Sequence, residues 1–241
     1  MDGWPIPRRQ EASELLDAPC LPPRALAGNL RDLGRANRYF GGLAVLRRQL
    51  LPALAAHPPD RPLRLLDVAT GGADLPLALL AWASGEGRRL SIVGLDAGAQ
   101  VLAYAQAQAR GEPRLRLLRG DAAALPLAPR TFDYALCCLA LHHLTPPAGI
   151  AALREMAAVV RHGLLVVDLE RSWPAYLGTW LWSRACTTNH LSRHDGPLSV
   201  LRAYTLAELR ALAACAGLAQ ARVSRGPFFR LVLWVTPEPD A

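Results

Sequence analysis

The 241-residue sequence contains no lysine. All 27 of its basic residues are arginine, against 20 acidic ones, and the net charge is +7. The missing lysine excludes a Schiff-base lysine and the lysine of a phosphate-binding P-loop. The arginines are scattered, as in Arg8-Arg9, Arg47-Arg48 and Arg88-Arg89. No basic run interleaves with aromatics, so no nucleic-acid partner is expected. Cys20, Cys137, Cys138, Cys186 and Cys215 include no C-x-x-C pair. An odd number without framework spacing reads as reduced thiols and a cytoplasmic protein. Cys137 and Cys138 lie in an apolar run and read as core. No charged-then-apolar leader opens the chain, and no apolar stretch reaches the ~18 residues of a membrane span. No stable membrane insertion is therefore expected.

What is present is apolar residues, 51% of the chain, enough for one large α/β domain with an appendage. Residues 1–24, rich in proline and charge with a short helical piece around Glu11–Leu16, read as a loosely held tail. Residues 26–57 have helical spacing broken at Gly41-Gly42, and "PPDRP" (58–62) is a rigid linker. Strands then alternate with helices: strand 63–69, helix near 74–84, strand 90–96, helix 99–110, strand 114–120. A buried strand opens 132–144, followed by helix 148–160 and strand 163–169. Near-continuous apolar strands separated by helices imply a doubly wound, mostly parallel sheet covered on both faces. Residues 170–203 break the rhythm as an insertion. A helix over 204–218 carries a capping box at Thr205 and Glu208 and ends at Gly217. Residues 220–235 read as two strands joined by Gly226-Pro227.

The stretch "LLDVATGGADLPLAL" (65–79) places Thr70, Gly71 and Gly72 between Asp67 and Asp74 at a strand-to-helix turn. In a doubly wound sheet, ligands bind beyond the carboxyl ends of the strands where strand order reverses. The glycines let a ligand approach the backbone. Acids at such a turn repel a pyrophosphate. Asp96 ends the next strand, where a carboxylate can accept both hydroxyls of a ribose. Asp121 ends the third, placed to accept from an adenine amine. Three acids at successive strand ends suit a nucleoside that carries a cation and no phosphate.

These motifs, "LLDVATGGAD", "VGLDAG" and "GDAAALPLAPRTFDYALCCLALHHL", resemble in order and spacing those of the class I S-adenosylmethionine-dependent methyltransferases. The resemblance covers roughly residues 30–235, and departs from the commonest motif at Ala69 and Ala73. It implies a seven-stranded, Rossmann-like sheet with an N-terminal helical lid and S-adenosylmethionine as cofactor. Residues 1–60 would be tail and lid, and 61–241 the cofactor-binding domain with an acceptor-pocket insertion at 170–203. Asp67, Ala69, Thr70 and Gly71 would hold the methionine end, with Asp67 near its ammonium. Asp96 and Ala97 would hold the ribose, Asp121 and Ala122 the adenine, and Leu139 with His142 the far side. "NLRDLGRANRYFGG" (29–42) resembles the lid of small-molecule members of ubiquinone/menaquinone type and of polyketide-associated ones, with Asn37, Arg38 and Tyr39 placed to close over the cofactor.

The expected reaction is methyl transfer to a small apolar or aromatic hydroxylated acceptor, as in O-methylation of a phenol or enol. C-methylation of a quinone precursor and cofactor binding without turnover are the alternatives. His142 and His143 end the fourth strand, and "RHDGPLSV" (193–200) places His194 and Asp195 in the insertion. With no lysine available, His142 or His194 is expected to be the base. The competing reading of 193–200 is a turn at Asp195-Gly196-Pro197. "SWPAYLGTWLW" (172–182) reads as a helix packed on a neighbour or as an aromatic slot. No metal site is assigned: Asp168 and Glu170 follow the fifth strand, but two acids alone make no ligand set. A monomer or homodimer is expected.

Overall fold

The computed structural model describes residues 5–236. A single 3₁₀ turn, Leu15–Asp17, precedes α1 (Pro23–Tyr39). Gly41, at φ +96°, breaks the chain into α2 (Gly42–Val45), a π turn (Leu46–Leu50) and α3 (Leu51–Ala55). The alternating part follows: β1 (Leu63–Val68), α4 (Asp74–Gly85), β2 (Leu90–Asp96), α5 (Ala99–Gln108), β3 (Leu115–Arg119) and β4 (Phe132–Cys138). Then come α6 (Pro146–Val159), β5 (Val160–Leu169), α7 (Trp173–Cys186), α8 (His190–Arg202), α9 (Leu206–Cys215), β6 (Arg222–Gly226) and β7 (Arg230–Val235).

The strands form one sheet in the order β3-β2-β1-β4-β5-β7-β6. All neighbours are parallel except β7, which runs antiparallel to both β5 and β6. The order reverses between β1 and β4, so a crevice opens at their carboxyl ends. β4 is buried at every position, which is why its sequence alternates so little. One core layer joins Leu66, Phe132 and Leu164 to Leu153 and Met156 of α6 and Leu209 of α9. The other joins Leu65, Ile92 and Leu136 to Leu79 and Leu80 of α4 and to Leu50 and Leu54. The capping box at Thr205 and Glu208 forms, and α9 is followed by Gly217 at φ +79°.

Two expectations are overturned. The proline- and charge-rich N-terminal segment is tied down as a strap from Pro7 onward. Its Leu15 and Leu16 amides donate to Asp195 Oδ1 and Oδ2 at 2.8 and 2.9 Å. Arg9 Nε donates to the Arg202 carbonyl at 2.7 Å, and Arg171 Nε to that of Pro7 at 2.8 Å. The composition of a linker is thus spent on long-range hydrogen bonds that satisfy buried side chains, which local pattern cannot reveal. The turn read at Asp195-Gly196-Pro197 is the interior of α8 instead. Proline cannot donate to the carbonyl four residues back. That carbonyl, of Arg193, accepts from Arg184 Nη1 of α7 at 2.8 Å, so the neighbouring helix repairs the gap.

The 170–203 segment therefore folds as the antiparallel pair α7 and α8, laid beside α1. Asp32 of α1 is buried and accepts from Thr187 Oγ1 at 2.6 Å and Ser192 Oγ at 2.8 Å. Among the described residues no helix is long and apolar enough to cross a membrane.

Candidate active site

The carboxyl ends of β1, β2 and β4, the helix α1, the pair α7–α8 and the strap enclose a cavity of about 830 Å³. Its floor is the turn after β1. Ala69, Gly71 and Ala73 all have positive φ, at 57°, 56° and 62°. Two alanines thus hold a backbone shape that favours glycine, at a cost of about 1–2 kcal/mol each. The turn is pinned to the end of β2. The Thr70 amide donates to the Leu95 carbonyl at 2.9 Å, and the Gly71 amide to Asp96 Oδ2 at 3.0 Å. Gly94 is required here, because a Cβ on it would come within 2.7 Å of Thr70 Oγ1.

Three carboxylates converge on this floor. Asp67 is buried, and its hydrogen-bond partner is Thr70 Oγ1, which donates at 2.7 Å. Burial pushes its pKa up to about 7, with the charges of Asp74 and Asp96 adding to the rise. Asp74 accepts from Asn37 Nδ2 at 3.1 Å, and burial raises its carboxyl too. Asp96 accepts from the amides of Gly71 and, at 2.9 Å, Gly98; burial raises it despite those bonds. Asp121 lies at the exposed edge of the cavity and accepts from the Ala123 amide at 2.8 Å.

Across the floor, Arg230 of β7 is buried. Its Nε donates to the Phe40 carbonyl at 2.8 Å, while Nη1 has no hydrogen-bond partner among the described residues. A buried guanidinium nitrogen left unpaired is costly unless a ligand meets it. Acids without a cation on one side and an orphaned guanidinium on the other complement the ammonium and carboxylate of an amino acid. With Asp96 beside them for a ribose, these residues fit S-adenosylmethionine.

The structure brings Asp67, Ala69, Thr70, Gly71, Asp96, Ala97, Asp121, Ala122 and Leu139 together on one cavity wall. Of the lid residues, Asn37 faces the cavity, whereas Arg38 and Tyr39 are exposed and Phe40 takes their place. Phe40 packs edge-on against Trp182 and Phe228, at 5.6 and 5.9 Å between ring centres, so part of the tryptophan-rich segment does line the chamber. Cys137 and Cys138 are buried beneath it, and burial raises both thiols.

The two histidines assigned as candidate bases separate. His142 is buried on the cavity wall; its Nδ1 lies 2.6 Å from Asp168 Oδ1, and its amide donates to Asp168 Oδ2 at 2.8 Å. Burial acts to raise Asp168, but the His142 charge and these bonds outweigh it and hold the carboxyl below its ordinary range. His194 is exposed and outside the cavity, with Nδ1 2.8 Å from Asp195. The helical geometry of α8 turns Asp195 inward and His194 outward, so the base assignment to His194 is corrected. Asp168 and Glu170 also part company, since Glu170 accepts from Arg225 Nε at 2.8 and 3.0 Å.

Sequence reasoning missed Glu14 and Arg230. Glu14 is a buried acid of the strap, its carboxylate 3.6 Å from His142 Nε2 and 3.6 Å from His143 Nε2. Burial pushes its pKa up to about 7. Nothing in "EASELLD" marks it; only the docking of the strap does.

Residues 65–163 match the family model of the methyltransferase domain. Over 113 residues the chain is 35% identical to a demethylmenaquinone methyltransferase of Bacillus licheniformis, 47% of each chain being covered. The chain thus spans about half the length of the curated relatives it matches. Among solved structures it is similar to a SAM-dependent methyltransferase from Aquifex aeolicus, with TM-score 0.60 and 16% identity over 91% of this chain and 100% of that one. It is also similar to magnesium protoporphyrin IX methyltransferase from Synechocystis, solved with bound SAH, with TM-score 0.54 and 16% identity over 81% and 83% of the two chains. At such identities the structural likeness speaks for the fold alone. Sheet order, the motifs at successive strand ends and the match over residues 65–163 agree, and that stretch is a methyltransferase domain within a Rossmann-like sheet.

Proposed function

We propose that the protein transfers the methyl group of S-adenosylmethionine to a small acceptor with an apolar body and an acidic hydroxyl, a phenol or enol. The observation that supports this most is the composition of the cavity. An acid-lined cradle fitted to the cofactor adjoins an aromatic chamber, and His142 stands on the wall between the strap and the sheet. The cofactor supplies an electrophilic methyl on a sulfonium, whose S–C bonding pair returns to sulfur on transfer.

The chain's own residues do the rest. Asp67, Asp74 and Arg230 fix the amino-acid end, and Asp96 the ribose. Phe40 and Trp182, with Phe228 at the exposed rim, give the chamber its apolar wall and orient the acceptor. Positioning of this kind supplies much of the barrier reduction in a displacement. The acceptor loses its proton at the corner formed by His142, His143 and Glu14, and its nucleophilic atom faces the cradle. Transfer to the oxygen gives an ether. Transfer to the adjacent ring or enol carbon is the second reading, supported by the relatives named demethylmenaquinone methyltransferases.

The test is methyl transfer from labelled S-adenosylmethionine to a panel of phenols, enols and quinols, with the product's methyl position assigned by NMR. His142→Gln is expected to lower turnover by about 10²–10⁴-fold, the usual worth of proton-transfer catalysis. Acceptors of lower pKa should recover part of that loss. Tight binding of S-adenosylhomocysteine with no transfer to any acceptor would leave a binding protein instead.

A further inference from the structure

In the corner where the strap meets His142, one carboxylate faces two imidazole nitrogens. Glu14 Oε1 lies 3.6 Å from His142 Nε2, and Glu14 Oε2 lies 3.6 Å from His143 Nε2. One ligand atom from each of the three residues lies within 4.8 Å of the other two. The far nitrogen of each ring faces a carboxylate: His142 Nδ1 to Asp168 at 2.6 Å, and His143 Nδ1 to Asp17 at 3.0 Å. An imidazole that donates from Nδ1 to a carboxylate turns an unprotonated Nε2 the other way. A neutral ring held this way would turn its Nε2 lone pair toward Glu14, in a site where Glu14 and His142 are shielded from water. Such a set is repulsive until something positive sits among it.

The charges around it agree. Glu14, Asp17 and Asp168 are three carboxylates. Arg202, with Nε 3.7 Å from Glu14 and Nη1 3.8 Å from Asp17, is the arginine within ion-pair reach of them among the described residues. Ser199 Oγ lies 2.9 Å from Glu14 Oε1 and 2.8 Å from the Asp195 carbonyl, and it orients Glu14 without adding charge. With both imidazoles neutral and Glu14 ionised, the three carboxylates and Arg202 would leave the corner two charges negative.

We infer that Glu14, His142 and His143 hold a divalent transition-metal ion of the zinc class. Two imidazoles and one carboxylate are a catalytic ligand set for such ions, and the carboxylates behind both imidazoles are the usual outer shell. Ligand atoms about 2.1 Å from a tetrahedral centre stand about 3.4 Å apart, close to the two 3.6 Å separations. The remaining position is left to the cavity, which Glu14, Asp17, His142 and His143 all line. This inference rests on the reading of the corner as the place where the acceptor ionises, and it says how. The ion holds the acceptor's oxygen and lowers its pKa, and the proton leaves to solvent. His142 and His143 are then ligands, and Asp168 and Asp17 position them. Because one ligand comes from the strap, the site is complete only when the strap is docked.

The probe is Co²⁺ added to the metal-stripped full-length protein, with S-adenosylhomocysteine binding measured on the same samples. One equivalent should bind and give the visible band of a four- or five-coordinate ion, and Zn²⁺ should displace it. X-ray absorption on the zinc form should show two imidazole ligands. Glu14→Gln and His143→Asn should weaken Co²⁺ at least tenfold, and the positioning change Asp168→Asn about 10–100-fold. Failure of the wild-type protein to bind one equivalent overturns the inference, whatever the variants do. So does a zinc site with fewer than two imidazoles, or equal binding by wild type and both ligand variants. If S-adenosylhomocysteine still binds in those cases, the methyltransferase reading stands alone; if it does not bind the wild type, that reading fails first.

Discussion

If Asp67 meets the cofactor's ammonium as proposed, it links cofactor binding to pH. In the ligand-free protein burial carries its pKa from 3.8 to about 7, and the charges of Asp74 and Asp96 push the same way. An ammonium beside it needs the ionised form, so binding below pH 7 must release a proton. With a ligand-free pKa of about 7, affinity for S-adenosylhomocysteine should be flat above pH 7.5. It should fall about tenfold per pH unit below 7, reaching about thirtyfold, or about 2 kcal/mol, at pH 5.5. Calorimetry in two buffers of different ionisation enthalpy should find nearly one proton released at pH 6 and nearly none at pH 8.5. Asp67→Asn should bind more weakly at pH 8 and lose the pH dependence. The ligand-free protein should show the opposite trend in stability. A carboxyl raised on folding holds its proton more tightly in the folded chain. That contribution is full below about pH 4 and is lost as pH rises through about 7. Equal affinity at pH 5.5 and 8 with no proton exchange, or an unchanged profile in Asp67→Asn, would refute the reasoning.

Other perturbations follow from single features. Asp96→Ala removes the acceptor that would meet the ribose and should cost about 1.5–3 kcal/mol of S-adenosylhomocysteine affinity with the fold intact, read by calorimetry and circular dichroism. Ala69→Gly relieves a left-handed alanine at φ 57° and should stabilise by about 0.5–1 kcal/mol, seen as a rise in melting temperature of about 1–4 °C; a fall would mean that the alanine methyl is needed for packing. Asp195→Ala strands the amides of Leu15 and Leu16 and should cost about 1–3 kcal/mol, with faster proteolysis inside residues 5–22. S-adenosylhomocysteine should raise the melting temperature by mass action while ATP and NAD should not, since the cradle presents acids where they carry phosphate.

The sequence by itself determined the sheet and the cradle. Continuous apolar strands alternating with helices admit one kind of sheet, covered on both faces, and a motif at each strand's carboxyl end is fixed in space once strand order is fixed. Asp67, Thr70, Gly71 and Asp96 were legible for that reason: their geometry is set by the few residues around them. The departures at Ala69 and Ala73 were visible as well, though only the φ angles show that alanine is held in the left-handed region there. The tertiary structure decided everything that rests on contacts between distant segments. Glu14 joins His142 and His143 across more than a hundred residues, Arg230 reaches the floor from the last strand, and Asp195 receives the strap. His194 and Asp195 were equivalent in the sequence. A helix turns successive side chains by about 100°, so one came to face the interior and the other the solvent. Local pattern carries the periodicity of a segment, but not the direction its buried face must turn or which distant donor meets its charges, because those are settled only when the pieces pack.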